Sequence, residues 1–278
     1  DLVEIADESG FSSLVNIYSE SMLTLGNKVK MNIGITGQWF TLNDRYTIEP
    51  RLSVKWKFAP RQSLSFAYGM HSRLEMLNYY FTKDENSRMI NKDLDFTKAH
   101  HVSLGYDLSP GENLHLRIEP YFQWLYDVPV IPGSTFAMLN LQGNEDWFIS
   151  DQLINAGNAI NYGIDITFEK YMSRGFYYMA TASLYDSKYR TSDKGTWYDS
   201  RYNRHFAVNL LTGKEWMLGK NKQNMLGASG KVTVQGGDRY SPIDAEKSLL
   251  QQEAIYNERN PYSCRFAPMV LAHLTISY

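Results

Sequence analysis

The adjacent pair His100-His101 is the most metal-like feature of this 278-residue sequence, because neutral imidazole is a common zinc ligand. The flanking residues are typical of a strand, and adjacent side chains on a strand point to opposite faces of the sheet. The two imidazoles therefore cannot share one ion in a regular strand. The other histidines lack a Cys, His or carboxylate at ligand spacing, so we predict no metal site and no cofactor; they are His71, His115, His205 and His273.

A hydrolase site is the second chemistry to consider, since Ser, His and Asp recur along the chain. A Ser-His-Asp triad is defined by geometry, and the chain has no Gly-x-Ser-x-Gly motif to present a nucleophilic serine. Gly236-Gly237-Asp238 is not a phosphate loop, because no Lys-Ser/Thr follows it at the required spacing. These glycines suit a bulge or bend at the end of a strand. We therefore predict no catalytic residues and no enzyme.

Aromatic side chains within long polar segments are better candidates for binding a ligand. The predicted contact residues are Tyr79, Tyr80, Trp147, Phe148, Trp197, Tyr198, Arg239 and Tyr240. Aromatic rings on loops give large contact area at a low entropy cost. Packing of loop against loop, or a place in an aromatic girdle, is the alternative explanation for the same rings.

The segments between these loops alternate apolar and polar side chains with the period of a strand. In residues 114–126 one face carries Leu114, Leu116, Ile118, Phe122, Trp124 and Tyr126, and the other carries His115, Arg117, Glu119 and Gln123. Eleven such segments follow one another, each about 11–17 residues long, whereas globular strands average about 5–6 and crossing a membrane at a tilt needs roughly 9–11.

The connections alternate between tight turns and, in most cases, long polar loops. The turns are 25–28, 59–62, 109–113, 172–175 and 218–223, and the connections between them are 41–45, 79–97, 129–153, 190–201 and 237–265. Long loops on one edge are typical of a transmembrane barrel, with short turns facing the periplasm. We therefore predict an all-β fold: an antiparallel up-and-down transmembrane β-barrel. A soluble β-sandwich, for example a carbohydrate-binding one, is the alternative.

Composition agrees with a barrel. Aromatic residues make up 14% of the chain, including 20 Tyr, as aromatic girdles at both membrane interfaces require. Trp56 and Phe58 suit the girdle near the short turns, and Trp124 and Tyr126 the girdle near the long loops. No apolar run approaches 18 residues, which excludes a helical membrane protein. The net charge of −2 gives no nucleic-acid signature.

Facing predictions follow from the alternation. His101 should face the barrel lumen and His100 the lipid near the interface. Charged inward side chains need water in an open pore, or partners on a plug domain in a filled one, and the sequence leaves both possibilities open; they are Arg51, Lys55, Arg117, Glu119, Asp165, Glu169, Lys214 and Lys231. Basic residues also gather near the short turns and acidic residues near the long loops, so the two rims differ in charge.

The strand count indicates part of a larger barrel. Bacterial single-chain barrels normally have an even number of strands, and an open edge in lipid leaves backbone groups unpaired. We therefore expect about eleven strands of a larger barrel, with further strands at both ends. Residues 1–10 are acidic rather than basic and apolar, so we expect a mature form or a piece of the protein.

Several short motifs, in this order and spacing, carry a resemblance to a known family. They are Leu94-Asp95-Phe96-Thr97-Lys98-Ala99-His100-His101, Leu104-Gly105-Tyr106-Asp107, Ile118-Glu119-Pro120-Tyr121-Phe122, Val128-Pro129-Val130-Ile131-Pro132, Asn161-Tyr162-Gly163-Ile164-Asp165, Tyr202-Asn203-Arg204, Gly213-Lys214-Glu215-Trp216 and Gly236-Gly237-Asp238-Arg239-Tyr240-Ser241-Pro242. Across about residues 50 to 245 the chain resembles the C-terminal half of a TonB-dependent outer-membrane receptor. It is most similar to Bacteroidetes-type receptors with a carboxypeptidase-regulatory-like N-terminal domain.

The resemblance implies that residues 1–278 are part of a 22-stranded barrel in the bacterial outer membrane, with the plug domain and the closing strands absent. It implies a parent protein that imports a large or scarce nutrient, energised through the TonB complex. The implied partners are outer-membrane lipid, the plug domain of the same parent chain, the TonB complex and an unidentified nutrient ligand, with no nucleic acid. A passive porin, or a barrel acting mainly as an adhesin, is the alternative function.

Overall fold

The computed structural model describes residues 10–141, 149–192 and 195–278. In chain order its strands are β1 (Leu14–Leu25), β2 (Val29–Phe40), β3 (Arg45–Ala59), β4 (Gln62–Arg73), β5 (Thr97–Gly111), β6 (Leu114–Val130), β7 (Ile154–Ser173), β8 (Phe176–Arg190), β9 (Tyr198–Asp199), β10 (Phe206–Leu218), β11 (Asn224–Gln235), β12 (Arg239–Tyr240), β13 (Cys264–Arg265) and β14 (Met269–Ser277). The helices are α1 (Leu77–Tyr80), α2 (Ala245–Gln251) and a 3₁₀ turn at Met138–Asn140.

The long strands form one antiparallel meander. Its order is β1-β2-β3-β4-β5-β6-β7-β8-β10-β11-β14, with the short β9 added to β8, while β12 and β13 pair separately within the last loop. Each long strand therefore pairs with its neighbours in sequence, which confirms the prediction of an eleven-stranded antiparallel meander. The helices lie in the connections and not in the strand segments.

Tight turns close one rim of the sheet, which we call the short-turn rim. Between β7 and β8 the turn residues Arg174 and Gly175 have φ of 52° and 71°. Two consecutive positive φ angles are what a two-residue type I′ hairpin needs, and its twist matches that of the strands. The opposite edge carries the connections 74–96, 131–153, 191–205 and 236–268, and we call it the long-loop rim.

Cross-strand register divides the side chains into two faces. One row of directly paired residues crosses all eleven strands and is apolar apart from a tyrosine hydroxyl: Leu25, Val29, Trp56, Leu64, Tyr106, Ile118, Ile166, Ala182, Val208, Val234 and Val270. On the other face the row Ser63, Asp107, Arg117, Thr167, Thr181, Asn209 and Thr233 is polar throughout.

The concave face is the polar one. Glu119 and Gln123 line a cavity on this side, as predicted. Phe122 and Trp124 lie on the opposite, convex face and are 46% and 42% exposed. Large apolar side chains exposed along a whole sheet face mark a surface that meets an apolar environment, here lipid.

The two adjacent histidines occupy opposite faces, as predicted. On the convex face His100 stacks on Trp124 and Tyr126 with ring centroids 5.7 and 5.3 Å apart. On the concave face the His101 ring contacts that of His71, 4.9 Å away.

The buried apolar residues lie in the loops and the strand ends at the long-loop rim. The largest cluster joins the end of β2 to the two connections 74–96 and 131–153 and contains Phe40, Tyr79, Tyr80, Leu94, Phe96, Met138, Ile149 and Leu153. We call it the loop core. A second cluster packs Val128, Val130, Ala137, Ala159 and Tyr189 beside it. The long connections are therefore packed, with the strands beneath them as their base.

In the ranges that the structure describes, no helix has the length and apolar character needed to span a membrane.

Candidate functional site

A cavity of about 830 Å³ opens on the concave face below the long-loop rim. Strand residues form most of its wall, and Glu75, Leu139, Ser200 and Tyr202 of the loops complete it. The wall combines the rings of Tyr121 and Tyr185 with ionisable groups; these are His71, Arg73, Glu75, Glu119 and Asp165. Rings beside fixed charges can bind a ligand through both stacking and hydrogen bonds.

Most of the carboxylates near this cavity are held in place. Arg117 Nη2 lies 2.8 Å from Glu119 Oε2, and Thr97 Oγ1 donates to Glu75 over 3.2 Å. Asp165 differs, because no described residue donates a hydrogen bond to it or forms an ion pair with it. It lies directly opposite Glu119 in the register, so two like charges face each other across β6 and β7. This part of the wall suits a cationic or hydrogen-bond-donating group.

Glu49 is a third fixed carboxylate, also on the concave face, and it is 2% exposed. It accepts hydrogen bonds from Ser72 N and Oγ over 2.8 and 2.6 Å and from Gln38 Nε2, and it pairs with Arg51 over 3.0 Å. A buried carboxylate with this many donors has its charge balanced locally and acts as a rigid support for β2, β3 and β4.

Tyr79 and Tyr80 are placed inside the loop core. Their exposed fractions are 1% and 0%, and the Tyr80 ring packs edge-on against Phe40 with centroids 5.2 Å apart. Burial raises the pKa of the Tyr80 hydroxyl well above its usual range. Neither ring is accessible to a ligand in this structure, which favours the alternative of packing between loops.

Trp197 and Tyr198 lie at the start of the short strand β9. The Trp197 ring is 38% exposed, and the Arg190 guanidinium lies 4.8 Å from its centroid. Tyr198 packs its ring 5.9 Å from that of Tyr189 and lies against the second cluster. Trp197 is thus the more accessible of this pair. Trp147 and Phe148 lie outside the described residues.

Arg239 ties two long loops together. Its guanidinium pairs with Asp199 at 3.0 Å, donates to the carbonyls of Asn203 and Tyr262 over 3.3 Å each, and lies 3.1 Å from His205 Nε2. The side chain is 11% exposed. Burial lowers the pKa of Arg239, and the Asp199 carboxylate opposes that effect. Arg239 therefore supports the loops, whereas its neighbour Tyr240 is 40% exposed and packs 4.5 Å from Phe266.

Asn203 is the centre of this polar network. It is fully buried, and its Nδ2 donates to Asp186 Oδ1 over 2.6 Å and to Asp199 Oδ1 over 2.8 Å. Arg204 next to it pairs with Asp238, and the hydrogen bonds that it donates to that carboxylate raise the Arg204 pKa. Two loops and the end of β8 are thus joined by side chains that the alternation pattern does not single out.

Within the described part of the chain, no group of three or more His, Cys, Asp or Glu side chains is placed to hold a metal ion. His115 comes nearest to a cluster, with Asp107 Oδ1 3.0 Å from its Nε2 and Glu169 Oε1 2.9 Å from its Nδ1. Both ring nitrogens are taken up by these carboxylates, which makes this a luminal hydrogen-bond network.

A profile described as "TonB dependent receptor-like, beta-barrel" matches residues 6–278. The chain belongs to this TonB-dependent receptor β-barrel family. Members of this family are outer-membrane transport proteins and not enzymes. Membership also implies a place in the bacterial outer membrane.

Solved structures of receptor barrels share the fold. The FrpB iron transporter from Neisseria meningitidis (F3-3 variant) superimposes with a TM-score of 0.64 at 11% identity over 95% of this chain and 38% of that one. The outer membrane transporter YddB from Escherichia coli gives 0.66 at 11% identity, with 95% and 38% covered. The ferripyoverdine receptor of Pseudomonas aeruginosa gives 0.63 at 12% identity, with 95% and 32% covered.

This chain thus spans 38% or less of the length of each of these three proteins. At these identities the superposition concerns the fold alone. Among curated proteins none matches the chain.

Two parts of the loop network could be recognised in the sequence as motifs. Tyr202-Asn203-Arg204 and Gly237-Asp238-Arg239 are two of the motifs that carry the family resemblance, and the structure brings them together. The contact between these two motifs could not be predicted from the period of the strands, because both motifs lie in loops. The cavity residues Tyr121 and Tyr185 were missed as binding candidates, since ring-bearing strand positions look like ordinary girdle or packing residues.

Proposed function

We propose that the parent protein is a TonB-energised importer of a nutrient in the bacterial outer membrane. This chain would supply part of the barrel wall and the four long outer loops. The observation that carries the proposal is the combination of an apolar convex row on every long strand with a concave cavity beneath packed loops, in a chain whose family match covers residues 6–278.

We propose further that residues 1–278 are a partial barrel domain, completed in the parent by further strands and a plug. The motif order supports a Bacteroidetes-type parent with a carboxypeptidase-regulatory-like N-terminal domain. Outer-membrane lipid would surround the convex face, and the TonB complex would act through the parent's N-terminal region.

The loops are proposed to capture the ligand first, and the concave cavity is proposed to bind it next. Among the loop aromatics, Trp197 and Tyr240 have the exposure that contact requires. Three neighbours in fold are described as an iron transporter, a ferric yersiniabactin uptake receptor and a receptor bound to ferripyoverdine. At 10–12% identity they support transport without fixing the ligand, so the proposal is a nutrient of unspecified class.

The test is uptake by cells that carry the intact parent, with and without a functional TonB complex. Saturable uptake that disappears when TonB is removed is the expected result. Uptake that persists without TonB and rises linearly with concentration would identify a passive porin. Surface adhesion without uptake would identify an adhesin-type barrel. Either outcome overturns the proposal.

A further inference from the structure

His205 lies where two long loops meet. It ends the connection 191–205 just before β10, and the connection 236–268 runs beside it, with Gly236 so close to the Arg204 carbonyl that a Cβ would overlap the oxygen. His205 has a φ of 67°, in the left-handed region that residues other than glycine rarely adopt. Such a backbone persists only where its surroundings hold it, and it is common in switch regions.

The contacts of the His205 ring define its protonation state. Tyr185 N donates to His205 O over 2.9 Å, and the ring Nδ1 lies 3.3 Å from Tyr185 O and 3.7 Å from Asp186 Oδ1. Both of these oxygens are acceptors, so Nδ1 carries a proton. The ring Nε2 lies 3.1 Å from Nη2 of Arg239, a group with donors only, so Nε2 must accept through its lone pair. The geometry fits only a neutral imidazole. We call the hydrogen bond from Arg239 Nη2 to His205 Nε2 the His–Arg contact.

Other titratable groups surround the His–Arg contact on the elements that pack against it. They are Tyr162, Tyr185 and the Asp186–Lys188 ion pair of β7 and β8, Asp199 of β9, Arg204 with its partner Asp238, and Arg239 and Arg265 of β12 and β13. Carboxyl groups ordinarily titrate near about pH 4, and phenol, ammonium and guanidinium groups at about pH 10 or above, whereas imidazole changes its charge between about pH 5 and 8. His205 is therefore the group of this region that responds to pH near neutrality.

Protonation of His205 is incompatible with the His–Arg contact. It would place an N–H of the ring against an N–H of the guanidinium, and two positive charges side by side. Asp186 belongs to β8, which also holds His205 through Tyr185, so its carboxylate attracts the ring whether or not the two loops are joined. Arg239 belongs to the other loop, so parting relieves the repulsion. The parted state therefore binds the extra proton more readily, and the joined state loses stability as the pH falls.

We propose that the His–Arg contact is a pH-sensitive link between the connections 191–205 and 236–268, made at neutral pH and broken below about pH 6. Arg239 keeps its ion pair with Asp199, so the loops loosen at this junction without separating completely. Tyr185, which His205 contacts through both its backbone and its ring, lines the concave cavity, so the link lies beside the candidate binding site. The inference goes beyond the proposed function, because it requires neither a ligand nor the TonB complex.

Hydrogen exchange of the intact parent in outer membranes, without ligand, tests the proposal. Exchange is measured by mass spectrometry at about pH 7.5 and about pH 5.5 and corrected for the intrinsic rate. The Arg239 amide is the most direct reporter, because it donates to Arg201 O over 2.8 Å and so joins the two loops. We expect residues 199–205 and 236–242 to exchange roughly three- to tenfold faster at the lower pH, as the loss of one hydrogen bond implies.

Matched variants separate titration of His205 from a general effect of acid. His205→Gln provides an amide oxygen that accepts from Arg239 and stays neutral, and His205→Lys carries a positive charge at both pH values. In each variant the ratio of the exchange rates at the two pH values should therefore be close to one, with His205→Lys exchanging fast throughout. His273→Gln is the control, because His273 lies on β14 opposite Lys231. It should keep the full pH response of the unaltered receptor.

The ratio within each variant decides the matter, so a change in absolute protection does not obscure it. Heat-modifiable migration shows that each variant barrel has assembled. An unaltered receptor with no pH response in these two segments would overturn the proposal. So would a pH response that persists in His205→Gln or His205→Lys, or one that disappears in His273→Gln. A receptor that fails the TonB test can still show the predicted ratios, so failure of this inference and failure of the proposed function are distinguishable.

Discussion

At the scale of single residues, Asn203 illustrates what a buried polar side chain contributes. Its amide bridges the carboxylates of Asp186 and Asp199, and without it both would lose a charge-assisted hydrogen bond in a buried place. We expect Asn203→Ala to destabilise the loop segment 199–205 by about 1–3 kcal/mol. Limited proteolysis of the folded receptor should then cut this loop faster. The exposed residue Asn86 provides the control Asn86→Ala, and equal cutting of the two variants would contradict the assigned role.

Whether a strand side chain points to the lipid or to the lumen is also a property of the single residue. Ile118 lies in the apolar row and Gln123 on the concave face of the same strand β6. Ile118→Arg should impair barrel assembly by about 2–4 kcal/mol if the residue lies near the middle of the bilayer, whereas Gln123→Arg points into the polar lumen and should have little effect. Heat-modifiable migration of the parent barrel measures both. A Gln123→Arg variant that assembles as poorly as Ile118→Arg would contradict the assignment of faces.

One outer turn has a predictable pH dependence. The Arg88 amide donates to the Asp84 carboxylate, as do the Arg88 guanidinium and the Asn86 amide, and together they lower the Asp84 pKa. A lowered pKa in the folded state means that the stabilisation is present above the unfolded value, about 3.9, and is lost as the pH falls through the folded value.

We therefore expect the Asn86 and Arg88 amides to be protected from hydrogen exchange at neutral pH and to lose protection below about pH 4, after correction for the intrinsic exchange rate. Asp84→Asn should lower their protection at neutral pH, whereas Asp93→Asn, an exposed carboxylate of the same loop, should leave it unchanged. Protection that is insensitive to both pH and Asp84→Asn would contradict the role of the carboxylate.

At the scale of elements, the strands could be predicted and the loop packing could not. The period of two, the segment lengths and the turn positions are local properties, and they placed all eleven long strands in the observed order. The loop core depends instead on contacts between residues far apart in sequence, such as Phe40 with Tyr80 and Thr82 Oγ1 with Ile149 O. Tyr79 and Tyr80 look like exposed ligand-binding rings in sequence because nothing local signals their burial.

The loop core makes a prediction at this scale. Phe96 is fully buried immediately before β5, and Phe96→Ala should cost about 3–5 kcal/mol of loop stability. The outer loops should become protease-sensitive while the barrel keeps its heat-modifiable migration, because the strands are held by their own ladders. Trp197→Ala removes an exposed ring and should leave protease resistance unchanged but reduce ligand uptake. A receptor whose loops resist protease after Phe96→Ala would show that they are held in another way.

At the scale of the whole molecule, the last loop combines support and capture in separate parts. Its base is fixed by the β12–β13 ladder and by Arg239, while its outer part, including α2, carries exposed apolar side chains such as Leu249 and Leu250 at 81% and 84%. Removing residues 243–260 spares Ser241, whose Oγ accepts from Tyr262 N, and leaves the supporting contacts in place. Barrel insertion should therefore be normal.

Uptake of the ligand by the shortened receptor should fall strongly, because the part that extends farthest from the support is lost. The matched change is Arg239→Ala in the full-length loop, which removes the support and keeps the outer part. It should raise protease sensitivity of residues 199–205 and 236–268 together, since one guanidinium contacts both segments. Normal uptake after removal of 243–260 would mean that capture belongs to the other loops and the concave cavity, and that this loop serves mainly to close the long-loop rim.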